Sequence, residues 1–181
     1  ILARRQRQMC IRDRTMTAAA NKVAGKTINK VGGGDGALAV KLVSTADDGA
    51  VDLTTVGGTA TQTFEVTGNV TFSGTLHGST KTSVASSQTL TTTAAIANGK
   101  TIDGSGSVAI TALHSTLAAN LSGITASGGR TAAFDDNGTF TGDLGTFTVT
   151  VASSKTLTTT AAIATTKTIG GSGSVAITAL H

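Results

Sequence analysis

The sequence predicts an all-β chain wound as a parallel β-solenoid (β-helix) from repeats of about 67 residues. Three observations point there. The chain repeats itself: 84–114 and 151–181 are identical at 27 of 31 positions, at an offset of 67. Its local pattern alternates apolar and polar residues, the period of a strand with one buried face. Its composition is dominated by Thr, Ala, Gly and Ser, with no Pro, Trp or Tyr and only five aromatics. Thr favours strands, whereas Ala and Gly bury little area each, so a wide globular core is poorly supplied.

Taken in chain order, the repeats divide into 15–83, 84–150 and 151–181. The first is a diverged copy. Gly25-Lys26-Thr27-Ile28 echoes Gly99-Lys100-Thr101-Ile102, and Asn69, Thr71, Phe72, Gly74 and Leu76 match Asn137, Thr139, Phe140, Gly142 and Leu144 at an offset of 68. The third unit is truncated, as expected for a piece of a longer array. Within the units, Phe147, Val149 and Val151 share one face of a strand. Val108, Ile110 and Ala112 share one face of another, with Thr111 opposite. Leu90–Ile96 holds three consecutive threonines and is a poor helix. The best helix candidate is Met16–Ala24, with short turns at Thr116–Leu121. Gly-rich stretches at Asp103–Gly106, Gly123, Gly128-Gly129 and Gly142–Gly145 punctuate the strands. A period of 67 divides into three coils of about 22 residues. The competing architecture is a string of tandem small β-sandwiches. Such beads carry a buried aromatic anchor and proline in their loops, and neither signal stands out here.

Residues 1–14 are set apart. Arg4–Arg14, RRQRQMCIRDR, resemble a forward translation of a common transposase-type sequencing adapter, which marks 1–14 as non-native and outside fold reasoning. This segment holds five Arg and one Asp, the whole excess of 14 basic over 10 acidic residues, and the only cysteine. The remainder carries nine basic and nine acidic residues. Its neutrality gives no reason to expect nucleic acid or an anionic membrane as partner, and no disulfide or thiolate site is available to it. No apolar run reaches the roughly 20 residues of a membrane helix, so no membrane insertion is expected.

Candidate chemistry is sparse, and we expect no catalytic residues, no cofactor and no metal. Gly25-Lys26-Thr27 ends like a phosphate-binding loop, but Ala20 stands where that loop needs Gly, and the motif recurs at 99–101 as a repeated structural element. Gly170-Gly171-Ser172-Gly173-Ser174 starts like a calcium-binding nonapeptide, with Val175 where the carboxylate belongs. Asp135, Asp136 and Asn137 gather oxygen donors and are the weak calcium candidates; Asp47-Asp48-Gly49 is similar. Each is equally a turn between strands. His77, His114 and His181 are lone histidines. His114 and His181 occupy one repeat position and could stand in register on one face. Ser105, in Gly104-Ser105-Gly106, has the wrong spacing for a nucleophile elbow. Asp103 becomes Gly170 in the sister unit and Glu65 is the only glutamate, which leaves little for paired-carboxylate chemistry.

The alternation of TLTTTAA, GKTI, GSGSVAIT and ALHSTLAANLSGITA resembles the repetitive regions of large bacterial β-strand-repeat exoproteins, or adhesin-like surface proteins. The resemblance covers the second and third units well and the first loosely. It implies a structural and interaction module of a secreted or cell-surface protein, an adhesin-like stalk without catalysis. Its partners would be neighbouring repeats of the parent chain and a surface glycan or protein ligand. Phe64–Leu76, FEVTGNVTFSGTL, is similar to segments of phage tail-fibre and virion-surface proteins, the first alternative. A carbohydrate-active β-helix enzyme fragment is the second.

Overall fold

A computed structural model describes residues 14–26, 38–44, 51–55, 61–78 and 80–178. Of the adapter-like residues 1–14, 1–13 lie outside them, as do Thr27-Ile28, Asp47-Asp48-Gly49 and His181, while Arg14 is the first residue described. Strand after strand stacks on the strand one coil earlier, always parallel and residue to residue. The fold is a parallel β-solenoid.

The first side of the solenoid is a five-stranded sheet of β1 (Arg14–Ala19), β2 (Leu38–Ser44), β3 (Thr61–Val66), β5 (Lys81–Val84) and β7 (Thr101–Gly104). The second side is six-stranded: β4 (Val70–Phe72), β6 (Thr89–Thr93), β8 (Ser107–Thr111), β9 (Gly129–Phe134), β11 (Thr148–Val151) and β13 (Ile169–Gly171). The third side holds β10 (Gly138–Thr139), β12 (Thr156–Thr160) and β14 (Ser174–Thr178). Isolated bridges join Asp52 with Thr75, Ile102 with Ile124 and Asn120 with Asp143.

Alternation decides what points inward. In β11 Val149 and Val151 are buried while Thr148 and Thr150 are exposed, because successive side chains of a strand leave opposite faces. The inward residues of all coils merge into one continuous apolar core. All five phenylalanines belong to it, each at most 1% exposed. Phe64 and Phe72 meet at 5.3 Å between ring centroids. A buried aromatic anchor therefore does not distinguish beads from a solenoid in this chain; the unbroken parallel register does.

Three local expectations change. Met16–Ala24 is only partly helical: Arg14–Ala19 is strand, paired with Leu38–Val43, and α1 is the four residues Ala20–Val23. Residue pairing with the next coil overrides local propensity there. The second-unit counterpart behaves alike, with strand β6 running into α2 (Ala94–Ala97), so Ile96 is helical rather than extended. The Thr93 hydroxyl caps α2 by accepting from the Ile96 N–H, as Thr160 caps α3 (Ala161–Ala164). Ala112 leaves its strand, with φ 51° in the left-handed region, and opens a 3-10 turn over Leu113–Ser115.

The repeat does not contain a whole number of coils. On the first side Thr63 pairs with Lys81, Lys81 with Thr101, and Ile102 with Ile124, giving coils of 18, 20 and 22 residues. These three coils are shorter than three of 22, so a further step to the next side remains before the repeat recurs. Each element is thus carried one side on. β3 and β5 of the first side correspond to β9 and β11 of the second, and β6 and β8 of the second correspond to β12 and β14 of the third. Successive repeats are related by a screw of one third of a turn, and equivalent positions of neighbouring repeats do not stand in register. The strand preceding His114 lies on the second side and β14, the last described strand before His181, on the third; His181 itself lies outside the described residues.

Candidate functional site

Most of the polar positions that the sequence singles out bond from one coil to the next. Asp135 and Asp136 follow β9 at a corner. His114 Nδ1, one coil earlier, bonds Asp135 Oδ1. Lys155 Nζ, one coil later, donates to Asp136 Oδ1 at 2.9 Å. Asp136 Oδ1 also accepts from the Asn137 N–H at 2.8 Å, and Asn137 Oδ1 accepts from the Thr156 N–H at 2.8 Å. The three calcium candidates are brought together, and the Oδ1 atom of each is bonded to His114, to Lys155 or to a backbone N–H. Among the described residues no group of three or more His, Cys, Asp or Glu is arranged to hold a metal ion.

The Lys155 hydrogen bond, then the Asn137 N–H and the Lys155 charge, hold the Asp136 carboxyl below the usual carboxylate range. A depressed folded-state value means the link is present above the ordinary carboxylate value near 3.8 and is lost as pH falls through the lowered one. The expected result of an NMR carboxyl titration is an Asp136 midpoint below 3.8 that rises toward it in Lys155→Met. An unchanged midpoint in that variant would show the ammonium to be irrelevant.

Asparagines form a second set of ties. Asn69 Oδ1 accepts from the Thr89 N–H, as Asn137 does from Thr156, and Asn98 Oδ1 from the Asn120 N–H. Threonines form a third: the hydroxyls of Thr92, Thr111, Thr159 and Thr178 donate to the carbonyls of Phe72, Thr92, Phe140 and Thr159, each about one coil earlier. Asp52, Asn120 and Asp143 each accept from a backbone N–H two residues on, the Asx-turn that such residues favour. The Thr54 hydroxyl and N–H lower the Asp52 pKa by bonding its carboxylate.

The phosphate-loop candidate resolves the same way. Gly25 N–H donates to Asp52 O, and Gly99 N–H to Asn120 O, so these donors face a neighbouring coil. The short helix α1 precedes Gly25, and at the second copy a strand, β7, rather than a helix follows Gly99-Lys100, whereas Thr27 lies outside the described residues. The calcium-nonapeptide candidate is also an inter-coil device, since Gly173 N–H donates to Val151 O. Asp103 pairs with Lys81 at 2.8 Å and Glu65 with Lys41 at 2.7 Å, both across neighbouring strands of the first side. Ser105 lies exposed in the bend between β7 and β8.

Sequence reasoning missed a polar position inside the core. Gln62 is fully buried and accepts from the Thr80 hydroxyl at 2.8 Å. Its repeat equivalent Arg130 sits in register with inward Val108 and reaches the Ala126 carbonyl at 2.8 Å. The signal available was the alternation itself, which places both on the inward row with Phe64 and Ala132. No helix among the described residues is long and apolar enough to cross a membrane. No protein-family model, curated protein or solved structure matches the chain.

Proposed function

We propose that this chain is a structural and interaction module, a non-catalytic stalk segment of a large secreted or cell-surface protein. The observation that carries the reading is the continuous parallel ladder, six strands deep on the second side, with Asn and Thr side chains adding bonds between coils at the corners and strand ends. Repeated side-chain investment in holding coil to coil suits a chain that spans distance under load. The screw relation supports the same reading: a stalk whose repeats rotate by a third of a turn presents equivalent surfaces in all directions.

The test is mechanical. Pulled from its two ends in a single-molecule experiment, the chain should lengthen in steps rather than in one event. A solenoid coil contacts only its neighbours and can peel separately. Coils of 18 to 22 residues should each release about 60 Å of tether, an extended chain less the rise already spanned. One cooperative event near the start of the force ramp would argue against a load-bearing role. Sedimentation of the same sample as an intertwined trimer would favour the tail-fibre alternative. Turnover of polysaccharides by the folded chain would overturn the non-catalytic part.

A further inference from the structure

The outward side of the six-stranded sheet differs from the rest of the surface. Its central row is Thr71, Thr91, Ala109, Thr131, Thr148 and, one residue before Ile169, Thr168; the first five are in direct residue-to-residue register. The row beside it, two residues further along the strands, runs Thr93, Thr111, Ala133, Thr150 and Gly170. Neither row contains a charge. The first side, built from the same repeats, carries Lys41, Glu65, Lys81 and Asp103 in two ion pairs. Threonine on the second side therefore fills most nodes of a two-row grid, with alanine at 109 and 133 and glycine at 170, spaced about 4.8 Å from coil to coil and about 6.7 Å from one outward residue to the next along a strand.

We propose that this grid is an ice-binding surface, its ligand the ordered oxygen layer of an ice plane. Both grid spacings are close to oxygen repeats on ice planes, so central-row hydroxyls such as those of Thr91, Thr131 and Thr148 can join the lattice's hydrogen bonds while the adjacent methyls, with Ala109, fill the space between; in the second row the Thr93 and Thr111 hydroxyls bond within the chain. A charged side chain would orient its own water shell against the lattice, and the grid has none. The chemistry also separates this ligand from the other flat solids a surface protein meets. Crystalline polysaccharides are gripped by exposed aromatic rings, and all five phenylalanines here are buried. An anionic surface would call for a basic patch. The screw begins a second patch on the third side, where Thr156, Thr158 and Thr160 of β12 repeat the pattern.

The full chain is tested by growing single ice crystals in its solution and by following recrystallisation of a frozen sucrose dispersion. The expected result is faceted crystals and arrested coarsening. Thr131→Lys, in the middle of the grid, should abolish both, and Thr148→Lys provides a second site should the first fail to fold. Ser83→Lys, placed between Glu65 and Asp103 on the first side, should leave both unchanged. Circular dichroism verifies folding in each case. Round crystals and normal coarsening with the folded chain would overturn the proposal. So would equal loss from Ser83→Lys, full activity in both folded Lys variants of the grid, or retention on chitin or cellulose without any on ice.

Discussion

Gly104→Val should lower the unfolding free energy by about 3–5 kcal/mol, read from urea or thermal denaturation followed by far-UV circular dichroism. Gly104 has φ +103°, a conformation that β-branched side chains avoid. A Cβ there would also lie 2.2 Å from the Val84 carbonyl oxygen, one coil below. Strain of about 1–3 kcal/mol then adds to an overpacking cost of similar size, and neither is relieved by rotating a side chain because the obstacle is backbone. Gly171, with φ +107° and the Val151 oxygen at 2.3 Å, is the repeat equivalent and should respond alike. Gly78→Ala is the control, since nothing lies within 4 Å of its added Cβ; its cost should be near zero. Equal effects at Gly104 and Gly78 would contradict the close stacking of coils.

The second large effect compares two copies of one sequence. Ile110 and Ile177 both sit in SVAIT strands, yet Ile110 is 1% exposed and Ile177 37%. Ile110→Ala should cost about 2–5 kcal/mol, as for other buried large-to-small changes. Ile177→Ala should cost under about 1 kcal/mol, since much of that side chain is already in water. β8 has β9 stacked over it, with Ile110 opposite Ala132, whereas among the described residues β14 has a neighbour only on the β12 side. Because coils couple mainly to their neighbours, denaturation of Ile177→Ala should also leave the main transition unmoved. Equal losses at both sites would mean that β14 is covered as β8 is.

The candidate residues illustrate how far local reading reaches. Asp135, Asp136 and Asn137 were recognisable as a turn rich in oxygen donors, since that depends only on adjacent residues. Their engagement by His114, 21 residues earlier, and by Lys155, 19 residues later, was not, because it depends on how many residues each intervening coil consumes. The Gly-Lys motif at Gly99 is legible in the sequence through its recurrence, while the partner of its N–H, the Asn120 carbonyl, belongs to another coil and leaves no local trace.

The sequence by itself determined that the chain is all-β, that it repeats, and which residues of Phe147–Val151 turn inward. These follow from side chains alternating with a period of two along any strand, a property of a few consecutive residues. Only the tertiary structure decided which side of the solenoid each repeat occupies and which of two identical strands is covered. The repeat spans three coils and part of a fourth, so the side is set by a running residue count over the whole chain. Burial is set by the coil above. Both are cumulative, long-range quantities, and two stretches identical in sequence can differ in each.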